Sequence, residues 1–199
     1  MKLILTSSGI GSRKIKQELG KMLSKPPKEN RVLIMFQRRK KTAHYLKLIK
    51  KQLRVKRKNL ILVDLNKKLP KLPEFDIFYS CGGNTFFILD RVKKLGLDKI
   101  IKKFIKNNGI YIGTSAGSII VHKTIAMAGW GSQAEENKVK LKNLKGIGLV
   151  NTAVFPHYTS RLKKEVLAFK KKVTYLVLEL RDKEALIINN KKIKIIRRN

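Results

Sequence analysis

Gly109-Ile110-Tyr111-Ile112-Gly113-Thr114-Ser115-Ala116-Gly117 joins an apolar run to a cluster of small residues. The apolar half reads as a strand, and the small half as a sharp turn into a helix. Glycines at 113 and 117 remove side chains where strand and helix backbones nearly touch. Such a turn lifts the Ser115 hydroxyl above the sheet edge, facing the positive end of the next helix. A hydroxyl is a poor nucleophile until a base takes its proton. Downstream, Phe155-Pro156-His157-Tyr158 supplies a candidate base in His157. The pair points to serine hydrolase chemistry. The pentapeptide alone is equally compatible with an ordinary strand-to-helix turn, since such turns favour Gly, Ser and Ala.

Working outward, apolar runs recur at Leu3–Thr6, Arg31–Gln37, Asn59–Leu65, Asp76–Cys81, Ile110–Gly113 and Leu149–Phe155. Later runs are Thr174–Leu180, Ala185–Asn189 and Lys192–Ile196. Helical stripes lie between the early ones. Ile15, Leu19 and Leu23 repeat every four residues, and Ala43, Leu46, Ile49 and Leu53 share a face. Phe86 to Leu89 with Val92 and Leu95 form a third stripe, closed by Gly96. Ile100, Ile101, Phe104 and Ile105 form a fourth, closed by Asn107-Asn108-Gly109. Strands alternating with helices imply an α/β fold whose mostly parallel sheet is flanked by helices on both faces. Turn signals at Arg181-Asp182-Lys183 and Asn189-Asn190 make the last strands a C-terminal antiparallel hairpin at the sheet edge. Residues 66–75 read as a surface connection. Residues 129–146 form a loop long enough to suggest a function.

The chain has 199 residues, a length that suits a single domain over 1–199. No apolar run reaches the ~20 residues needed to span a bilayer. The first residues are broken too early for a signal peptide, and the single cysteine, Cys81, allows no internal disulfide. The expectation is a cytoplasmic protein that does not engage a membrane. The net charge of +34 comes from 36 lysines and 11 arginines spread along the chain. That pattern suits a solvated lysine-rich surface with nonspecific polyanion contact better than a dedicated nucleic-acid face, which favours arginine and interleaved aromatics.

In open parallel sheets, ligands bind beyond the C-terminal strand ends. Ser80-Cys81-Gly82-Gly83-Asn84-Thr85 ends one strand on the same edge as Ser115. Acyl transfer needs two N–H groups aimed at the developing oxyanion. Ala116 offers one, and Gly82 or Gly83 the other. The same stretch also reads as a helix entry capped by Asn84 or Thr85. Of three histidines, His44 reads as solvent-facing. His122 lies seven residues along the helix behind Ser115, ~10 Å of rise away. His157 ends a strand on the Ser115 edge. A base needs an acid to fix its tautomer. The acids between Ser115 and His157 are Glu135 and Glu136, and spacing does not choose between them. Cys81 reads as a small buried thiol, and no cluster has metal-ligand spacing.

Gly82-Gly83-Asn84-Thr85, Gly113-Thr114-Ser115-Ala116-Gly117-Ser118 and Pro156-His157-Tyr158, in that order and spacing, resemble peptidase family S51. The family includes aspartyl dipeptidase (peptidase E) and cyanophycinase. Gly146-Ile147-Gly148-Leu149-Val150 is similar to its pattern too. The resemblance implies a flavodoxin-like fold related to class I glutamine amidotransferases. It implies Ser115 as nucleophile, His157 as base, and an oxyanion hole from Gly83 and Ala116. It implies no cofactor and no metal, and small peptides as substrates, cleaved after an N-terminal or branch-point aspartate in the characterised members. The position where aspartyl dipeptidases carry their third triad residue falls near Trp130, in Ala128-Gly129-Trp130-Gly131, which holds no carboxylate. The expected activity is therefore that of a serine-type peptidase. An esterase or amidase using the same nucleophile, or a catalytically silent nucleic-acid-binding domain, are the alternatives.

Overall fold

The computed structural model describes residues 1–37 and 42–198. Among the described residues, nine strands and six α-helices follow one another. β1 (Lys2–Thr6), α1 (Arg13–Met22), β2 (Val32–Phe36), α2 (Thr42–Leu53), β3 (Leu60–Asp64) and β4 (Ile77–Ser80) make the first half. Then come α3 (Thr85–Lys94), α4 (Leu97–Lys106), β5 (Ile110–Thr114), α5 (Ala116–Ile119), β6 (Ala153–Phe155), α6 (Lys163–Lys171), β7 (Val177–Glu179), β8 (Ala185–Asn189) and β9 (Lys192–Ile196). The main sheet has the order β3-β2-β4-β5-β1-β8-β9. Its first five strands are parallel, and β8 and β9 add an antiparallel hairpin beside β1. The mostly parallel α/β sheet with a C-terminal hairpin is thus the architecture the alternating pattern predicts.

Parallel strands buried on both faces read as continuous apolar runs, because successive side chains point to opposite layers. In β1, Leu3 and Leu5 enter one core while Ile4 enters the other. In β2, Leu33 and Met35 face the first, and Val32, Ile34 and Phe36 the second. α3, α4 and α5 cover the first face, and α1 and α2 the second. Ser12 caps α1 by accepting from the Ile15 N–H, and Asn84 caps α3 by accepting from the Phe87 N–H.

The second half departs from the sequence reading. The runs at 149–155 and 174–180 shorten to β6 and β7, which pair only with each other. β8 already occupies the free edge of β1, so they form a separate ribbon. With α6 they enclose a third core of Phe155, Val166, Phe169 and Val177. α6 carries its buried side chains on Val166 and Phe169, with Leu162 just before it, diluted among lysines, and the periodicity reading passes over it. The helix behind Ser115 is also far shorter than expected. It stops at Ile119, because the carbonyls of Ile120, Val121 and His122 accept from Ile147, Leu149 and Gly148. A tight turn follows, with the His122 N–H donating to the Ile119 carbonyl at 3.2 Å.

Backbone meets backbone closely where β5, α5 and β4 converge. A Cβ on Gly113 would sit 2.5 Å from the Gly117 carbonyl oxygen, and one on Gly117 would overlap the Ser80 carbonyl. Gly117→Ala is expected to cost about 3 kcal/mol or more, because the clash is with backbone and not with a movable side chain. Gly20→Ala, inside α1 with open space around it, is expected to stabilise by about 0.5–1 kcal/mol. Urea unfolding of the two variants checks both signs.

Candidate active site

The site grows from one rung of the sheet. Thr6 of β1 is level with Thr114 of β5 on one side and Ala185 of β8 on the other. Residues one step beyond that rung therefore meet at the rim. On β5 the next residue is Ser115, whose N–H donates to the Thr6 carbonyl at 3.0 Å, extending the ladder by one bond. The chain must then reverse into α5 past Gly113 and Gly117. Ser115 makes that turn at φ 53° and ψ −117°, a backbone conformation a non-glycine residue rarely adopts. The result is a hydroxyl that projects clear of the sheet.

His157 arrives at the same place through a defect in the β6–β7 ribbon. The Leu180 N–H donates to Phe155 and the Leu180 carbonyl accepts from Tyr158. Pro156 and His157 bulge out between these two bonds. Proline has no N–H to give a ladder, and His157 takes a φ of 55°. The bulge brings His157 Nε2 to 3.0 Å from Ser115 Oγ.

The other face of the imidazole meets an acid that the sequence reading treated only as part of a turn. His157 Nδ1 lies 3.0 Å from Asp182 Oδ1, in the β7–β8 connection. Neither candidate from the long loop takes that position. Both Glu135 carboxylate oxygens accept from Thr85, one from its N–H and one from its hydroxyl at 2.7 Å, at the start of α3. Glu136 is exposed and pairs with Lys138 at 3.2 Å. The 129–146 loop is held by these bonds, by Asn84 donating to the Glu136 carbonyl, and by the Trp130 indole donating to Glu165. Its carboxylates are committed elsewhere, and the short chain path from β7 to β8 delivers Asp182 instead. The cue was available in chain order: a turn linking two strands that end on the rim carries an acid.

Ser7 is the second residue that the sequence reading passed over. It is fully buried one step beyond Thr6. Its hydroxyl donates to Asp182 Oδ1 at 2.9 Å and accepts from the His157 N–H at 2.8 Å, and it lies 3.4 Å from Nδ1. One oxygen thus fixes the acid and the bulged backbone of the histidine together. The side chains of His157 and Asp182 are 53% and 61% exposed. Water screens their attraction, so the pair acts through geometry more than through ion-pair strength.

The turn carrying Asp182 has its own clamp. Buried Glu184 accepts from the Arg181 N–H, the Arg198 N–H and the Arg197 guanidinium at 2.9, 3.1 and 2.9 Å. Burial pushes its carboxyl upward, but the backbone donors and Arg197 more than offset this, so its pKa lies below the ordinary 4.5. Arg197 also donates to the Glu179 carbonyl, closing the clamp across β7.

Around the hydroxyl stand the expected N–H groups. Ala116 opens α5, where an N–H has no intrahelical acceptor. Gly82 approaches so closely that a Cβ there would lie 3.1 Å from Ser115 Cβ. Gly83 borders the same space. Ser115 and His157 border both a cleft of about 410 Å³ and a pocket of about 100 Å³. Cys81 borders the larger, where burial pushes its thiol up to about 12, so it stays protonated at neutral pH. His44 is exposed on α2. His122 is buried, with Nε2 3.0 Å from the Asn151 carbonyl and Nδ1 accepting from the Thr124 N–H. Among the described residues no group of three His, Cys, Asp or Glu side chains is placed to hold a metal ion. Nor is any helix among them long and apolar enough to cross a membrane.

Comparison with known proteins gives a consistent result. The model of peptidase family S51 matches residues 3–196. An uncharacterized peptidase of Listeria monocytogenes is 38% identical over 96 residues, covering 48% of this chain and 46% of its own length. One of Pasteurella multocida is 33% identical over 134 residues, 65% of this chain and 63% of its own. The aligned stretches thus span about half to under two thirds of these relatives. A crystal structure from Listeria monocytogenes EGD-e, described provisionally as peptidase E, superposes with a TM-score of 0.79 at 26% identity. It covers 100% of this chain and 98% of that one. A peptidase from an acI-B1 actinobacterium shares the fold, with a TM-score of 0.68 at 14% identity over 98% of this chain and 86% of its own.

Replacing Glu184 tests the clamp. Its folded pKa lies below the unfolded value, so its contribution is present above about pH 4.5 and lost as the pH falls through the folded pKa. Glu184→Gln is expected to lose about 3 kcal/mol at pH 7. The gap between the wild-type and variant unfolding curves should shrink as the pH falls below 4.5 and close once it has passed through the lowered folded pKa.

Proposed function

The chain belongs to peptidase family S51, and we propose that it is a serine-type hydrolase of small peptides. The observation that carries this reading is the continuous chain Ser115 Oγ, His157, Asp182, with 3.0 Å at each link. In the proposed reaction His157 Nε2 accepts the Ser115 proton as Oγ attacks the scissile carbonyl carbon. The carbonyl oxygen becomes an oxyanion, held by the N–H of Ala116 and that of Gly83 or Gly82. Each such donor contributes about 3 kcal/mol to the transition state. His157 then gives its proton to the leaving amine as the C–N bond breaks. Water, deprotonated by the same imidazole, hydrolyses the acyl-serine ester and restores the hydroxyl.

Asp182 accepts from Nδ1–H, which leaves Nε2 as the acceptor facing Ser115 and stabilises the imidazolium formed in each half-reaction. Ser7 holds this acid in register. Neither Glu135 nor Glu136 has a part in the proton path, because Thr85 and Lys138 hold their carboxylates away from the imidazole.

Ser115→Ala is expected to abolish both peptide turnover and covalent labelling by a fluorophosphonate. Asp182→Asn is expected to lower kcat by about 10⁴, as removal of the orienting acid does in a triad. Glu136→Gln should leave kcat unchanged. Full turnover in the Asp182→Asn variant would remove Asp182 from the mechanism, and full turnover in Ser115→Ala would end the serine reading.

A further inference from the structure

We propose that Glu135 is a positioning residue for the oxyanion hole: its carboxylate grips the start of α3 and so fixes the Gly82-Gly83 turn beside Ser115. The proposal rests on the hydrolase reading for its effect on rate, though not for the grip itself. It gives the 129–146 loop a task.

Two successive loop residues hold two successive residues of the turn. Glu135 is pinned first by its own backbone. Its N–H donates to the carbonyl of Ala128 at 2.7 Å, and Ala128 is buried in the first core. From there its two carboxylate oxygens reach the fully buried Thr85, one accepting from the N–H and the other from the hydroxyl at 2.7 Å. The Glu136 carbonyl accepts from the Asn84 side-chain amide at 2.9 Å, while the Asn84 side-chain oxygen caps α3. The Glu136 carboxylate takes no part in this, since it faces solvent beside Lys138.

The grip matters because of what lies just upstream. Glycine loses more conformational freedom on ordering than any other residue, and here two stand in a row. On the strand side the turn is tethered by the Cys81 N–H, which donates to the Met35 carbonyl at 2.9 Å. On the helix side, Glu136 and Glu135 hold Asn84 and Thr85. Gly82 and Gly83 lie between these tethers, with Gly82 against Ser115. The first N–H groups of a helix attract anions. Glu135 already occupies the Thr85 N–H, so a substrate oxyanion is directed to the N–H groups upstream, at Gly82 and Gly83. Glu135, Ser115 and His157 border the same pocket of about 100 Å³, which puts grip and nucleophile side by side. Misplacing a catalytic donor by about 1 Å costs on the order of 10²-fold in rate, close to the cost of losing an oxyanion-hole donor outright.

The test compares Glu135→Ala, which removes both acceptors, with Glu135→Gln, which keeps one. On a peptide that the wild type cleaves, kcat is expected to fall about 10²-fold in Glu135→Ala and less in Glu135→Gln, with KM nearly unchanged. Inhibition by a peptide aldehyde, whose adduct with Ser115 puts an oxygen in the hole, should weaken in step. The pH dependence of kcat/KM should keep its wild-type form, because His157 and Asp182 are untouched. Undiminished kcat in Glu135→Ala overturns the proposal. So does an equal loss of affinity for the uncleaved peptide, measured by calorimetry in the Ser115→Ala background. A shifted pH profile also overturns it, since Glu135 would then act on the proton path. Should Glu135→Ala fail to fold, Glu135→Gln and Thr85→Val carry the same comparison, each weakening one of the two bonds. Amide hydrogen exchange reads the grip without chemistry. Faster exchange across residues 82–85 in the folded variants supports it, and unchanged exchange overturns it. If the wild type turns over no peptide while its Glu135 variant shows that faster exchange, the hydrolase reading is rejected and the grip stands.

Discussion

Three backbones converge where β5 turns into α5, and the absence of two side chains is what permits it. Gly113 lies against the carbonyl of Gly117, and Gly117 against that of Ser80. With the helix drawn this close to the sheet, Ser115 has no relaxed path from one to the other and takes a left-handed φ. The strain is confined to one residue, and its side chain is the one that must stand apart from its neighbours. Ser80, Gly82 and the α3 entry take their positions from the same contact, which aligns the second glycine turn with the first.

The remaining parts reach the rim by three separate routes. β1 supplies Ser7 as the residue following the Thr6 rung. The β6–β7 ribbon supplies His157 by bulging at a proline. The hairpin supplies Asp182, because β8 runs antiparallel to β1 and so must begin at the end where β1 stops. Ser7 joins the three, since its single hydroxyl touches both Asp182 and His157. The arrangement is held by a buried oxygen that donates to Asp182 and accepts from the His157 N–H, behind an acid–imidazole contact that is itself exposed to water.

What could be read from residue order was the local chemistry of each turn. Gly113 and Gly117 announced the approach of helix and strand, and the alternation of apolar runs gave the parallel sheet. Pro156 before His157 placed the histidine at a strand end. The acid was not legible, because a carboxylate in a turn has no local requirement that marks it. Asp182 is defined by a partner 25 positions earlier and by the direction of β8. Glu135 sits in the interval between Ser115 and His157, while its carboxylate meets the first turn of α3, where anions are favoured. The length of α5 was equally hidden. It depends on carbonyls captured by residues 147–149, a tertiary event that no helical stripe records. α6 was overlooked because lysines dilute a stripe that only the third core reveals.

The Glu184–Arg197 clamp has a consequence for how the protein comes into being. Translation releases Ser115 and His157 before Asp182, and Asp182 before the arginine that braces its turn. A domain folds as a unit. Without the hairpin, the edge of β1 would be uncovered and the imidazole would lack the acid behind it. On the proposed mechanism, orientation of His157 then waits on closure of the last hairpin.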